Sequence, residues 1–292
     1  MRPPEPWYAA LARLQREARP HALASVVGVA GSTPREPGAK MVITADDVHD
    51  TLGGGHFEQQ VIEAAREALA SGRTDTRLEA FPLGGRSGQC CGGYVHVLIE
   101  PFAGADMDIA LFGAGHVGRA LVQALAPLPW RVWWFDSREH AFPDDARDRD
   151  RLHLMQPAAG AEGVDIEAAV ASLPAGCHAL VMTHDHAEDR ALVDALLRRG
   201  DCASIGMIGS DSKWASFRSR LRDAGHDETA LATVRCPIGV PGAHGKRPCE
   251  IALAVAAELL TLKPDTARDD RRGVAPEPLR QAFPSDSQEP RR

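Results

Sequence analysis

Two adjacent thiols, Cys90 and Cys91, stand directly before Gly92 and Gly93. A thiolate is a soft ligand and suits a soft metal centre. Glycines beside it let a bulky group come close, because they carry no Cβ. Arg86, Ser87 and Gln89 make the same stretch polar, and a positive charge nearby lowers a thiol pKa. Neighbours in extended chain point to opposite sides, so one thiol faces inward and the other outward. The plainer alternative is a small buried cysteine that only packs.

A second pattern is Gly113-Ala114-Gly115-His116-Val117-Gly118, a GxGxxG between an apolar strand, DIALF, and a helix. In a dinucleotide fingerprint Gly113 allows the tight turn, Gly115 admits a pyrophosphate and Gly118 lets helix pack on strand. The helix start supplies unpaired N–H groups and a positive dipole end. Asp136 ends the next strand and is expected to hold a ribose hydroxyl, while Arg138 would suit a 2′-phosphate, so NAD and NADP are both open. The competing possibility is that the glycines serve the fold alone.

A third pattern is Thr183-His184-Asp185-His186 with Asp189 a turn later. His184, His186, Asp185 and Asp189 are ligand types for a divalent metal. The favoured expectation is that they line a crevice without metal. The alternative is helix capping. Two further loops suit an anion: Gly31-Ser32-Thr33-Pro34-Arg35, and Gly53-Gly54-Gly55-His56, which opens a helix. Arg35 and Lys40 would add charge-assisted hydrogen bonds. Glu58 weakens the second site by competing for the helix dipole. In Ile208–Lys213, Ser210 reads as an N-cap and Lys213 as a group able to reach an anion. Cys236 and Cys249 flank a last glycine loop, Gly239–Lys246, without metal-ligand spacing.

The elements that must position these groups change rhythm along the chain. Trp7–Ala18 reads as a helix, His21–Ala30 as a strand, MVIT as a short strand and His56–Ala70 as a helix ended by Ser71-Gly72. TRLEAF and YVHVLIE read as strands. After PFAGADM, a plausible linker, DIALF, RVWWFD, HALVMT and ASIGMIG alternate with helices, which argues for a parallel doubly wound sheet. The fold class is therefore α/β: a small mixed α+β N-terminal domain, residues 1–103, then a Rossmann-like domain, residues 104–263. Residues 264–292 are polar and proline-containing and are expected to be a disordered tail.

The 292 residues suit two domains at roughly 150 each. A net charge of -7, from 33 Lys+Arg against 40 Asp+Glu, argues against nucleic acid as the partner. Six cysteines without a CxxC form neither a disulfide scaffold nor a zinc pattern. The opening MRPPEPWYAA does not read as a signal peptide. IALAVAAELLTL is too short to span a bilayer and contains Glu258. A soluble protein of a reducing compartment is expected.

Seven motifs in order then carry a resemblance: GSTPREPGAKM, LGGGHFEQQ, QCCGGYVHVLIEP, LFGAGHVGRAL, MTHDHAED, IGMIGSDSKWASFRSRL and CPIGVPGAHGKRPCEIALAVAAELL. Together they resemble the XdhC/CoxI family of molybdenum-enzyme maturation factors, and most nearly its xanthine dehydrogenase accessory branch, over about Trp7 to Leu262. The resemblance implies a chaperone rather than an enzyme. It would bind the molybdenum cofactor (molybdopterin), protect it while a cysteine desulfurase supports its sulfuration, and deliver it to the apo molybdenum subunit of xanthine dehydrogenase. It implies a homodimer. The family's CGG falls on Cys91, Gly92 and Gly93, with Cys90 an additional thiol and Cys91 the expected metal ligand. Its GSTPR falls on Gly31 to Arg35, including Ser32, Thr33 and Arg35. Many relatives carry Asp-Ile-Gly before the last helix, where this sequence reads Val240-Pro241-Gly242. The cargo would be contacted by Cys91, by the glycine loops with Gly54 and Gly55, and by the crevice with Gly113, Gly115, Gly118, Asp136, His184, Asp185 and His186. Three alternatives are an NAD(P)-dependent oxidoreductase, a maturation protein for the dinucleotide form of the cofactor, and a divalent-metal hydrolase on the histidine cluster.

Overall fold

A computed structural model describes residues 5–31, 33–83, 93–156, 165–243, 245–263, 274 and 276–282. The chain divides into two compact units between Gly104 and Ala105, with residues from 265 onward grouped with the first.

In the first unit, α1 (Trp7–Arg16) precedes β1 (His21–Ala30), β2 (Lys40–Ile43), β3 (Val48–His49), α2 (Gly55–Ala70), β4 (Arg77–Pro82) and β5 (Tyr94–Phe102). Among the described residues these strands form a five-stranded antiparallel sheet in the order β3-β2-β1-β5-β4. The alternation of β5 explains its place: Val95, Val97 and Ile99 are buried, and their neighbours are less so. The buried residues meet Phe57, Val61 and Ala65, which share one face of α2 through i, i+4 spacing. Ala10 and Leu14 of α1 pack with Val42 in a separate small cluster. β5 takes up the first two residues of the expected linker, because Pro101 and Phe102 pair with Ala22 and His21.

The second unit contains β6 (Asp108–Phe112), α3 (His116–Leu125), β7 (Arg131–Phe135), β8 (Leu152–Met155), α4 (Ile166–Ala171), β9 (His178–Val181), α5 (His186–Arg199), β10 (Ser204–Met207), α6 (Asp211–Asp223), α7 (Glu228–Ala232), β11 (Val234–Arg235) and α8 (Pro248–Leu262). All its strand pairs are parallel, in the order β11-β10-β9-β6-β7-β8. Counted from β6 this is 3-2-1-4-5-6, the doubly wound Rossmann order. Both faces are covered, so the strands are apolar throughout. Ile109 and Leu111 pack with α3 and α8, while Ala110 and Phe112 pack with α4, α5 and α6. The mixed α+β sheet followed by a Rossmann-like sheet agrees with the fold class read from the sequence. The stretch expected to be a disordered tail holds one short helix, α9 (Pro276–Ala282); the rest of it lies outside the described residues, apart from Val274.

Candidate functional site

The order of the second sheet reverses between β6 and β9. Ligands of such sheets bind beyond the carboxyl ends of the strands at this switch point. The loops that follow β6 and β9 meet there. A Cβ added to Gly113, whose φ is +118°, would lie 2.3 Å from the carbonyl oxygen of Met182. Only glycine allows this contact. A Cβ on Gly118 would lie 2.1 Å from the oxygen of Gly113, so Gly118 sets how closely α3 sits on the turn. The Trp134 indole N–H donates to that same Gly113 oxygen at 3.0 Å. A Cβ on Gly115 would meet nothing within 4 Å. Two of the three glycines therefore shape the fold, and Gly115 is the one with open space beside it.

Gly115 is also the N-cap of α3, and no side chain caps that helix start. The N-terminus of α5 is different. Asp185 is its N-cap and accepts from Ala187 N at 2.7 Å and Glu188 N at 2.9 Å. These bonds hold the Asp185 carboxyl below its ordinary pKa. Ser210 caps α6 by accepting from Lys213 N at 3.3 Å. An incoming anion would thus find the donors of α5 already partnered by a carboxylate.

Asp136 does not offer a carboxylate to a ribose. It is 2% exposed. One oxygen accepts from Ala114 N at 2.6 Å and Arg138 Nη2 at 2.8 Å; the other accepts from Arg138 N and Nε, each at 2.9 Å. Burial pushes its pKa up, but Arg138 and the Ala114 N–H outweigh burial and leave it lowered. Asp136 braces the GxGxxG turn against Arg138.

The histidine cluster is not assembled as a metal site. Asp185 serves as a cap. Asp189 is fully buried and accepts from Thr183 N, Thr183 Oγ1 and Lys213 Nζ at 2.9, 2.8 and 2.8 Å. Lys213, expected to reach an anion, reaches Asp189 and the carbonyl of Ile208. His184 and His186 are exposed. Among the described residues no group of three or more His, Cys, Asp or Glu could hold a metal ion. Two residues that the sequence did not single out also belong to the crevice. Ser137 donates to Glu188 at 3.1 Å, and His184 Nδ1 lies 3.8 Å from the same oxygen of Glu188. Burial raises the Glu188 pKa, and its Oε1 is buried without a protein partner. Its position in the first turn of α5, facing the residues that follow β7, was the available signal.

In the first unit, two of the glycine loops interlock. A Cβ on Gly53 would lie 2.7 Å from Pro34 Cβ and 3.2 Å from Arg35 Cγ. Arg35 is exposed, and Thr33 closes the turn by donating to Arg35 O at 3.0 Å. The ladder Ala30–Tyr94–Pro82 puts the exit of β1 beside the ends of the β4–β5 hairpin, where Leu83 N donates to Gly93 O at 2.7 Å. Thr33, Arg35, Gly53 and Gly93 thus lie at one end of the sheet. Ser32, Cys90, Cys91 and Gly92 lie outside the described residues.

The loop before α2 is not an open anion site. Glu58 folds back and accepts from Leu52 N at 2.8 Å and Gly54 N at 3.0 Å, and also from the Thr51 hydroxyl. A carboxylate of the chain stands where an anion at Gly54 and Gly55 was expected. Lys40 is drawn away too: its Nζ donates to Ser25 at 3.3 Å and lies 5.7 Å from the Trp7 ring centroid. Beside the last glycine loop of the second unit, a cleft of about 530 Å³ is lined by Gly209, Pro237, Gly239, Gly242 and Glu250.

The family model described as the XdhC Rossmann domain matches residues 109–259, and that of the XdhC and CoxI family matches residues 14–81. The uncharacterized protein YqeB of Escherichia coli (strain K12) is 31% identical over 256 residues, covering 86% of this chain and 45% of that protein. The chain thus spans less than half the length of this curated relative. A crystal structure described as a xanthine dehydrogenase from Bacillus halodurans is 18% identical, with a TM-score of 0.44 over 90% of this chain and 98% of that one. An imine reductase from Myxococcus stipitatus, in complex with NAD+, is 18% identical with a TM-score of 0.30 over 41% and 38%.

Proposed function

The chain belongs to the XdhC and CoxI family, and from that premise we propose that it is a maturation factor for a xanthine dehydrogenase, acting as a carrier of the molybdenum cofactor. It binds the cofactor, shields it while a cysteine desulfurase provides for sulfuration, and hands it to the apo molybdenum subunit. It works as a homodimer in the cytoplasm, with no nucleic-acid or membrane partner, and it is an accessory protein rather than a catalyst.

The observation that carries this reading in the structure is the start of α3. Gly115 faces open space at the switch point, and no side chain caps the helix. The cargo is a pterin with a phosphate, and a helix start with unpaired N–H groups suits a phosphate. The cargo's metal takes soft sulfur ligands, which is the role proposed for Cys91, with Cys90 beside it. A carrier must also release its cargo, so one exchangeable thiolate suits it better than a closed cage.

A nicotinamide-dependent oxidoreductase would use the same crevice. It needs Asp136 to hold a ribose, and both oxygens of Asp136 already accept from Ala114 and Arg138. The carrier reading also expects Asp136 beside its cargo, but its two main contacts, the α3 start at Gly115 and the Cys91 thiolate, do not depend on that carboxylate.

The test is cofactor retention. The protein is reconstituted with molybdopterin and molybdate, and bound pterin is measured by fluorescence after oxidative release. Cys91→Ala is expected to lower retention severalfold, and Gly115→Val likewise; unchanged retention in the first removes the thiolate role. Calorimetry with NAD+ and NADP+ is expected to give no binding heat. Activation of apo xanthine dehydrogenase by carrier, cofactor and desulfurase together tests the delivery step.

A further inference from the structure

At the other end of the parallel sheet, before the starts of β9 and β10, lie two thiols that the carrier reading does not use. Cys177 Sγ and Cys202 Sγ are 3.9 Å apart. Cys177 is fully buried, and Cys202 is half-buried on the wall of a cavity of about 330 Å³ lined also by Leu196, Gly200, Ala230, Thr233 and Arg235. We propose that Cys177 and Cys202 are a redox-active dithiol, oxidised by peroxides to an intramolecular disulfide, with Cys202 the attacking and Cys177 the resolving thiol.

Backbone pairing sets the geometry. Ala203 N donates to Cys177 O and Gly176 N to Asp201 O, each at 2.9 Å, so backbone bonds tie the two cysteine-bearing segments together just before the β9–β10 ladder begins at His178 and Ser204. Adjacent strands lie about 4.8 Å apart, inside the Cα separation of about 4.4–6.8 Å that a disulfide tolerates. The sulfurs must close to about 2.05 Å, which side-chain rotation achieves while the ladder stays in place. The roles follow from access and charge. Cys202 meets the cavity, whereas Cys177 lies behind it. The thiol–thiol hydrogen bond favours the Cys202 thiolate, with help from the Arg199 guanidinium; the same bond and burial push Cys177 up. Arg199 is held there by bonds to Leu173 O at 2.8 Å and to Asp201 at 3.0 Å.

The chemistry balances with hydrogen peroxide as the oxidant. The Cys202 thiolate attacks one peroxide oxygen, the O–O bond breaks, and hydroxide leaves and takes up the thiol proton as water. Cys202 is then a sulfenic acid. The Cys177 sulfur attacks that sulfur, the S–S bond forms and the S–O bond breaks. Hydroxide leaves and becomes a second water with the Cys177 proton. Two electrons pass from the two thiols to the peroxide. The product ties the start of β9 to the start of β10 and closes a loop that contains α5, capped by Asp185 and carrying Glu188 and Asp189 in its first turn.

The sequence makes the test direct. Trypsin cleavage after Arg151, Arg190, Arg199 and Lys213 leaves each thiol alone on its peptide, 152–190 and 200–213. The full-length protein is treated with hydrogen peroxide, blocked with iodoacetamide without reductant, digested and analysed by mass spectrometry. The expected product is these two peptides linked, lighter by two hydrogens than their sum and separated by dithiothreitol. Before oxidation Cys202 should alkylate on the order of tenfold faster than Cys177, as an accessible thiol of greater thiolate character does. Recovery of both peptides singly alkylated overturns the proposal. So does a link from Cys202 to any other cysteine, or a stable Cys202 sulfinic acid beside an unlinked Cys177. Cys177→Ser and Cys202→Ser should each abolish the linked pair; if the buried Cys177→Ser fails to fold, Cys202→Ser and the wild-type map decide the question.

Discussion

Gly118 rests on Gly113: a Cβ at position 118 would lie 2.1 Å from the Gly113 carbonyl oxygen, which the Trp134 indole already holds at 3.0 Å. The neighbour that would have to yield is backbone. Gly118→Ala is therefore expected to destabilise the protein by about 1–3 kcal/mol, the usual cost of overpacking. Gly115→Ala meets nothing within 4 Å and should leave urea unfolding within about 0.5 kcal/mol of wild type, as substitutions away from packed features do. Equal losses in the two variants would contradict this division of labour.

The Asp189–Lys213 pair predicts an asymmetry. Lys213→Met leaves a fully buried carboxylate without its cation and is expected to cost about 3–5 kcal/mol. Asp189→Asn keeps an acceptor for Thr183, and the lysine it releases is 17% exposed, so it should cost less. Equilibrium denaturation of both variants makes the comparison.

Asp136 predicts a pH dependence. Its folded pKa is lowered below 3.8, so the stability it contributes is present above the unfolded pKa and is lost as pH falls through the folded one. Asp136→Asn should be less stable at pH 7 by about 1–3 kcal/mol, the cost of leaving buried donors poorly matched. The gap should narrow below about pH 4. A gap independent of pH would show that the charge of Asp136 is immaterial.

Glu188 predicts the opposite sign. Its folded pKa is raised above 4.5, chiefly by burial. Its contribution is fully present below the unfolded pKa and is lost as pH rises through the folded value. Glu188→Gln should then melt higher than wild type at pH 8, by about 2–4 °C if the change is near 1 kcal/mol, and at the same temperature at pH 4. Calorimetric scans at the two pH values check it.

Much of this fold is legible in the sequence because periodicity carries it. The alternation in YVHVLIE and the apolar run DIALF mark β5 and β6 from burial alone. Gly113 and Gly118 can be placed because their spacing has a backbone cause. What could not be read is partner choice. Glu58, Asp136 and Lys213 each have the charge to meet a ligand, and each instead meets a group of this chain that the fold brings near: Gly54, Arg138 and Asp189. Short elements such as β8, α4 and β11 also escape notice, since elements of two to six residues carry too little pattern to set a period.

Pro34 lies against Gly53, close enough that a Cβ there would come within 2.7 Å. For protein engineering this makes the two loops a single cassette. A chimera that borrows GSTPR from a relative must bring that relative's LGGG with it, because each loop is the mould in which the other is cast.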